Sequence, residues 1–187
     1  MHQLKFQNPV SNFEDLVISS RRISLTLISE RFSKDIYREF TAEITRYMMP
    51  PPPQDISETL EFIRSSIEGM KRREEFVFVI VDTEGQFLGC VGLHARESSL
   101  TPELGIWIKK SAHGSALGRE AVHCLRDWAS ENLIVSHFIY PVEKNNLASR
   151  KIAESLGGAV IREQKVLSLS DNLLDEVVYE VPLISTF

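Results

Sequence analysis

Cysteine is scarce in this chain, and the residue types that bind metals form no recognisable pattern. The two cysteines, Cys90 and Cys124, lie inside apolar runs, with no Cys-x-x-Cys spacing and no ladder of further cysteines. The five histidines form no His-Glu-x-x-His motif and no cluster with carboxylates. The sequence therefore argues against a disulfide framework and predicts no metal site. Two isolated thiols are typical of a reducing cytosol.

Long apolar runs and an excess of basic residues are also missing. No stretch approaches the ~20 apolar residues that a membrane helix needs. The first residues, which include Gln3, Asn8 and Glu14, are too polar for a signal peptide. The net charge is −5, whereas a nucleic-acid-binding domain is usually basic. We therefore expect a soluble, cytoplasmic monomer or homodimer with no membrane partner and no nucleic-acid partner.

The size and composition indicate one globular domain. The chain has 187 residues, of which 43% are hydrophobic and 25% are charged, so it can bury a full core. Residues 1–18 are weakly patterned and are interpreted as an N-terminal extension, and residues 19–187 as a single domain. Hydrophobic periodicity in this domain predicts the order β, α, α, three strands, α, β, α and two strands, with the strand after the third helix at 134–140.

Residues 103–131 carry the clearest functional signal. An apolar strand at 103–108 is followed by a turn of small residues and by an amphipathic helix that begins at Leu117. The first N–H groups of a helix have no partners within the helix and carry the positive end of its dipole. Small residues at that point let a phosphate approach the backbone. This opening consists of Gly114, Ser115, Ala116 and Gly118.

Two common phosphate-binding motifs do not fit the turn. A P-loop requires Gly-Lys-Ser/Thr, but Gly118 is followed by Arg119 and Glu120. A dinucleotide fingerprint requires G-x-G-x-x-G, and only Gly114 fits that spacing. Basic residues nevertheless gather near the turn and near a later helix, which suits a polyanionic cofactor. They are Lys109, Lys110, Arg119, Lys144, Arg150 and Lys151.

A second informative stretch, residues 145–158, predicts a short helix closed by glycines. Its Asn146-x-x-Ser149, followed by Leu156-Gly157, resembles the Asn-x-x-Ser...Leu-Gly motif of the ribosomal-protein N-acetyltransferases (the Rim type). These enzymes belong to the GNAT superfamily of acetyl-CoA-dependent N-acetyltransferases. The strand at 103–108 resembles that subgroup's Glu-x-Gly-Tyr-Trp-Leu strand, and 114–121 its turn and helix, so three ordered motifs agree.

The chain departs from the family pattern at three positions. Ser111 stands where the phosphate turn usually has Gln or Arg, which affects one side-chain contact only, because the phosphate site is mostly backbone. Gly158 stands where an aromatic residue commonly follows the Leu-Gly pair. Ala153 occupies the place where other GNAT branches carry a tyrosine general acid, so one catalytic candidate is missing.

The resemblance implies an α+β (α/β/α) fold around a mixed, mostly antiparallel sheet. About seven strands and about four helices are expected, with the two central strands parallel and splayed apart. The pantetheine arm of acetyl-CoA would lie between those strands, bonded to the backbone of Ile106 and Ile108. The implied cofactor-binding residues are Ile106, Trp107, Ile108, His113, Gly114, Ser115, Ala116, Leu117, Gly118, Arg119, Asn146 and Ser149.

The implied reaction is direct attack of a primary amine on the thioester of acetyl-CoA in a ternary complex. Such a site needs a proton acceptor and a donor for the departing thiolate. Glu103 is the candidate acceptor, acting through water, and Ser149 the candidate donor. The loop at 47–53, with its four prolines, is interpreted either as a rigid connector or as a wall of the acceptor pocket. Tyr47, Met48 and His94 are the candidate substrate-binding residues.

The acceptor amine remains open at the sequence level. An α-amine with a pKa near 7.7–8 is roughly 10–20% neutral at pH 7, whereas a lysine amine is neutral in only about 0.04% of molecules. A carboxylate base therefore favours a protein N-terminal α-amine, although aminoglycosides and polyamines remain candidates. A catalytically silent acyl-CoA-binding or regulatory protein on the same fold is a further alternative. The polar residues Glu103, Asn146 and Ser149 favour an enzyme.

Overall fold

A computed structural model describes residues 2–9, 13 and 15–184. The strands are β1 (Val17–Ser19), β2 (Ile23–Leu27), β3 (Glu75–Asp82), β4 (Phe87–His94), β5 (Glu103–Ile108), β6 (Phe138–Glu143), β7 (Ala159–Leu167) and β8 (Leu173–Val181). The helices are α1 (Ser33–Glu39), α2 (Ala42–Thr45), α3 (Ile56–Lys71), α4 (Leu117–Asn132) and α5 (Leu147–Ser155). Within the described ranges, none of these helices is long and apolar enough to cross a membrane.

All eight strands form one sheet in the order β1-β2-β3-β4-β5-β6-β8-β7. Neighbouring strands are antiparallel except β5 and β6, which are parallel and are connected through α4. These two strands pair only at Glu103 and Ile139, close to where both begin. Along the rest of their described length they are not hydrogen-bonded to each other. The predicted mixed sheet with a splayed parallel pair at its centre is confirmed.

Helices cover both faces of this sheet. The side chains of α4 and α5, among them Leu125 and Ala153, pack in one core with Phe76, Val91 and Tyr140. On the opposite face, α1 and α3 contribute Ile36 and Ile63 to a second core with Val77, Val79 and Cys90. Because strand residues alternate between faces, each strand of the central sheet supplies side chains to both layers. We call these faces the α4/α5 face and the α1/α3 face.

The described residues form one strand and one helix more than the sequence predicted. The four-residue helix α2 is too short for its periodicity to stand out. The strand β1 pairs with β2 at the edge of the sheet, and its outer residues are exposed, so it lacks an apolar signature. The predicted boundary between residues 18 and 19 falls inside β1. Before it, Leu4 is only 1% exposed and its N–H donates to Arg73 O at 2.7 Å.

The strand β6 begins four residues later than the predicted 134–140. The Ile134 N–H donates to Lys5 O at 2.8 Å, and Leu133 forms a bridge with Phe6, so the N-terminal segment pairs with the residues that precede β6. The side chain of Ile134 stays exposed. The first residues of the predicted strand therefore belong to the connection between α4 and β6. Their backbone pairs with the N-terminal segment instead of the central sheet.

Candidate active site

The turn before α4 leaves several backbone N–H groups without an acceptor. Gly114 and Ala116 both adopt positive φ angles, +82° and +58°, and helix α4 begins at Leu117. The first helical hydrogen bond is from Glu120 N–H to Ala116 O at 3.2 Å. Within the described chain, the N–H groups from 114 to 119 donate to no other group. Unpaired N–H groups at a helix N-terminus form an anion-binding site.

Two glycines shape this turn in different ways. A Cβ placed on Gly118 would lie 3.2 Å from Ile108 Cγ1 and 3.5 Å from Ile106 Cδ1, so the glycine lets the first turn of α4 pack closely on β5. A Cβ on Gly114 would meet nothing within 4 Å. The backbone of the turn at Gly114 is thus open on its outer side, where a ligand can approach it.

The carboxylate of Glu120, in the first turn of α4, is held by the turn between β1 and β2. Ser20 Oγ donates to Glu120 Oε1 at 2.6 Å, and Arg22 Nε donates to Oε2 at 2.7 Å. Arg22 Nη1 also donates to Ser115 O at 3.0 Å. Partial burial alone would raise the pKa of Glu120, but these hydrogen bonds lower it. Arg22 thus offsets a negative charge beside the turn and braces the turn itself.

The edge of β5 that faces β6 presents the backbone of alternate residues. Lys109 N–H donates to Leu88 O at 2.8 Å on the β4 side, so Ile106 and Ile108 direct their backbone groups toward the gap before β6. The Ile108 carbonyl is already hydrogen-bonded to His113 Nε2 at 2.8 Å. The backbone of Ile106 faces the splayed gap.

Trp107, which the sequence predicted to bind the cofactor, directs its backbone toward β4 and away from the gap before β6. Its backbone pairs with Cys90 of β4. Its ring packs against Phe40 and Phe87, with centroid separations of 4.9 and 5.7 Å, on the α1/α3 face. The contacts of Trp107 are therefore with the α1/α3 layer, whereas Ile106 and Ile108 pack on the α4/α5 face.

Glu103 stands where β5 and β6 separate. It pairs directly with His94 of β4 on one side and with Ile139 of β6 on the other. Its nearest cation is Arg96, with Nε 3.7 Å from Glu103 Oε1. Burial raises the pKa of the Glu103 carboxyl, an effect that Arg96 offsets only in part. A pocket opens at this point, lined by His94, Arg96, Glu97, Thr101, Glu103, Ile139, Pro141, Arg162 and Gln164.

A hydroxyl pair lies on the α4/α5 side of the gap. Asn146 caps α5, since its Oδ1 accepts from Ser149 N–H at 3.2 Å, which leaves the Asn146 amide NH₂ for another acceptor. Ser149 Oγ lies 2.9 Å from Tyr140 Oη. Burial raises the pKa of Tyr140 to about 12, although the hydrogen bond with Ser149 counteracts it. Sequence reasoning missed Tyr140, because only the meeting of β6 with α5 makes this pair.

The candidate substrate loop lies apart from the Glu103 pocket. Tyr47 and Met48 are half-buried, and neither is among the described residues that line the pocket. The carbonyl of Met49 accepts from Leu169 N–H at 2.9 Å, so the loop packs against the turn between β7 and β8. The structure thus brings together Glu103 and His94, and separately Asn146 and Ser149, whereas the loop lies beside the hairpin.

Structures of known proteins share this fold. The RimL ribosomal L7/L12 alpha-N-protein acetyltransferase, solved with coenzyme A, superposes with a TM-score of 0.80 at 14% identity, over 90% of this chain and 98% of that one. The acetyltransferase from Salmonella typhimurium that modifies the N-terminal serine of L7/L12 gives 0.79 at 14%, over 91% and 100%. The microcin C7 self-immunity acetyltransferase MccE, solved with acetyl-CoA and AMP, gives 0.78 at 17%, over 88% and 94%.

Sequence comparisons bear on the family. A comparison with curated proteins gives no match. The model of the acetyltransferase (GNAT) domain matches residues 22–159, a range that includes β2, the turn before α4, Glu103 and Ser149. This match extends over well more than half of the 187 residues. The protein therefore belongs to the GNAT acetyltransferase family, as the sequence motifs predicted.

Proposed function

We propose that this protein transfers the acetyl group of acetyl-CoA to a primary amine by direct attack in a ternary complex. The observation that carries the proposal is the gap between β5 and β6. It has the unpaired N–H groups of the α4 turn on one side and a partly buried carboxylate, Glu103, where the strands separate. Such a gap suits an extended polyanionic thioester, with the phosphates at the turn and the acyl group near the carboxylate.

Acetyl-CoA would be held mainly by backbone groups. Its diphosphate would bind the N–H groups of 114–119, where Arg22 offsets the charge of Glu120. The pantetheine arm would run along the free edge of β5 at Ile106, and the amide NH₂ of Asn146 would donate to a pantetheine carbonyl. Because Ile108 O is bonded to His113, that ring would have to turn before Ile108 could serve as an acceptor.

The reacting groups would approach from opposite faces of the sheet. The amine would enter from the α1/α3 face, where Glu103 accepts a proton through a water molecule. On the α4/α5 face, Ser149 would donate its hydroxyl proton to the thiolate of coenzyme A, with Tyr140 at 2.9 Å as its hydrogen-bond partner. The raised pKa of Glu103 supports its role, since a stronger base takes a proton from an amine more readily.

We favour an N-terminal α-amine as the acceptor. Its lower pKa makes the neutral nucleophile available at neutral pH, and the folds of the two L7/L12 acetyltransferases resemble this one. Small amines such as polyamines and aminoglycosides are the second candidate class. The two carboxylates that line the pocket, Glu97 and Glu103, each lie near an arginine, Arg162 and Arg96, so the charge of the pocket does not distinguish the two classes.

A ligand and substrate screen tests this proposal. The melting temperature is measured with acetyl-CoA, and acetylated products are identified by mass spectrometry after incubation with N-terminal peptides, polyamines and aminoglycosides. We expect stabilisation by acetyl-CoA and acetylation of peptide α-amines. Stabilisation without transfer to any amine would favour the silent acyl-CoA-binding protein, and the absence of stabilisation would contradict both functions.

A further inference from the structure

A carboxylate and an imidazole form a buried pair beside the Glu103 pocket. Glu75 Oε2, at the start of β3, lies 2.6 Å from His94 Nδ1, at the end of β4. The two side chains are only 11% and 16% exposed. Glu75 and His94 are directly opposite in the antiparallel register of β3 and β4, so their side chains lie on the same face of the sheet.

The partner of Nδ1 determines the state of the other ring nitrogen. An ionised carboxylate can only accept a hydrogen bond, so Glu75 holds the proton on Nδ1 of a neutral imidazole. The second nitrogen of His94, Nε2, is then an acceptor, and the described residues supply no donor to it. A histidine with a fixed tautomer and a free acceptor nitrogen has the geometry of a general base.

Glycines at two positions make room for this pair. A Cβ on Gly69 of α3 would lie 2.8 Å from Glu75 Cγ, and a Cβ on Gly92 would lie 2.5 Å from His94 Nε2. The imidazole therefore lies over the backbone of Gly92. The residue opposite Gly92 is Gly105 of β5, where a Cβ would meet nothing within 4 Å. The nitrogen Nε2 thus lies above Gly92 and next to the open space over Gly105, and we call the backbone of these two glycines the floor.

This floor leads to the place where the amine would react. His94 is directly opposite Glu103 in the register of β4 and β5, and both side chains line the same pocket. Beyond Glu103, the strands β5 and β6 separate. An amine that enters along the floor of Gly92 and Gly105 would meet His94 Nε2 and the Glu103 carboxylate together.

The overall reaction requires two protons to leave the substrate nitrogen. An ammonium ion and acetyl-CoA give an N-acetyl amide, free coenzyme A thiol and one proton. The first proton must leave before attack, since an ammonium nitrogen has no free electron pair. The second leaves after the N–C bond forms, and it balances the proton that the hydroxyl of Ser149 gives to the departing thiolate as the C–S bond breaks.

We propose that His94, oriented by Glu75, accepts the first of these protons and that Glu103 accepts the second. The proposal rests on the amine acetyltransferase function given above and adds a catalytic residue, His94, and a positioning residue, Glu75. The first proton passes from the ammonium to Nε2 and from there to solvent. The second passes through water to Glu103 and then to solvent, and Ser149, which gave its hydroxyl proton to the thiolate, recovers a proton from solvent, so that one proton is released overall.

The charged groups around His94 come from each element near it. Glu75 belongs to β3, Glu103 to β5 and Arg162 to β7, while Arg96 and Glu97 follow β4; all of these except Glu75 line the same pocket as His94. Arg72, at the end of α3, interacts with Glu75. The imidazole thus has the Glu75 carboxylate at Nδ1, and Glu103 lies directly opposite His94 in the register of β4 and β5.

The test compares kcat/KM for a peptide α-amine at about pH 7 and about pH 9.5, with saturating acetyl-CoA. At pH 7 roughly 10–20% of an α-amine is neutral, so an enzyme that can use only the neutral amine should lose about 5- to 10-fold. We expect His94→Gln and Glu75→Gln to show this loss at pH 7 and to approach wild type at pH 9.5. Glu103→Gln should lose about 10²-fold at both pH values.

Matched controls separate a catalytic from a structural role. His137 also faces a carboxylate, with Nε2 3.6 Å from Glu180 Oε2, so His137→Gln should keep wild-type kcat/KM at both pH values. Gly92→Ala should displace the imidazole and repeat the His94→Gln pattern, even if Glu75→Gln fails to fold. In the wild type, ¹⁵N NMR should find the proton of the neutral His94 ring on Nδ1 and Nε2 unprotonated.

Several outcomes would overturn the assignment. They are an unchanged kcat/KM of His94→Gln at pH 7, an equal loss at both pH values, or a proton on Nε2 in the neutral ring. A wild-type protein that acetylates no amine would instead contradict the proposed function, because the pair has a catalytic role only in an amine acetyltransferase.

Discussion

A negative charge in the α4 turn should separate coenzyme binding from folding. Gly114→Asp places a carboxylate where the diphosphate of acetyl-CoA would lie. Because a Cβ at Gly114 meets nothing within 4 Å, the substitution causes no clash in the folded protein. Its φ of +82° costs a residue with a side chain roughly 1–2 kcal/mol of stability. The variant should fold with a modestly lower melting temperature.

The expected loss of affinity follows from the charges. Two unit charges about 4 Å apart interact by about 4 kcal/mol at an effective dielectric constant of about 20. Because the turn is exposed to solvent, which screens the charges, the repulsion is about half as large, about 2 kcal/mol. This repulsion raises the Kd for acetyl-CoA roughly 30-fold. At an acetyl-CoA concentration of about 100 times the wild-type Kd, ligand binding stabilises the folded wild type by about 2.7 kcal/mol. The same concentration would stabilise Gly114→Asp by less than about 1 kcal/mol. The thermal shift should fall from about 5–10 °C to about 2–3 °C.

The chain provides a matched control in the turn between β3 and β4. Gly85 has a φ of +78°, and a Cβ there would also meet nothing within 4 Å. Gly85→Asp should therefore carry the same backbone cost and keep the full thermal shift. Gly114→Asn, which adds similar bulk without charge, should lose less than Gly114→Asp. If Gly114→Asp retains the wild-type shift with acetyl-CoA, the phosphate site lies elsewhere.

Three further variants concern the proton donor for the thiolate and the amine-binding side. Ser149→Ala should lower kcat with acetyl-CoA, and a thioester of a more acidic thiol should recover much of the loss, because a better leaving group needs less proton donation. Tyr140→Phe should lower kcat in the same direction, and an unchanged kcat in both variants would remove the hydroxyl pair from the mechanism. Tyr47→Ala should raise the amine KM and leave coenzyme affinity near wild type if the loop walls the acceptor pocket. An unchanged KM would make the loop a connector.

Several local features were predictable because their causes lie within a few residues. The stripe of apolar residues from Leu117 is helix α4, and the small residues before it form the open turn. Asp55 accepts from Ser57 N–H at 2.7 Å and caps α3 through a contact between residues two apart. Asn146 caps α5. These signals depend on periodicity, cap chemistry and backbone conformation, which neighbouring residues set.

Other predictions failed or were missing because distant segments compete for the same chain. The apolar residues near Ile134 suggested an early start for β6, but the N-terminal segment occupies that backbone through Lys5. The edge strand β1 has too few buried residues to give a pattern. Hydrophobicity indicates that a segment will be covered, and it does not say by which part of the chain.

The sequence by itself determined the family, the order of the main elements and the open turn before α4, and it proposed Glu103 and Ser149 as reactive candidates. Only the tertiary structure paired Glu75 with His94, Ser149 with Tyr140 and Glu120 with Arg22. The partners in these pairs are 19, 9 and 98 residues apart. Strand register and helix docking decide which polar groups meet, and both depend on packing summed over the whole core rather than on any local pattern.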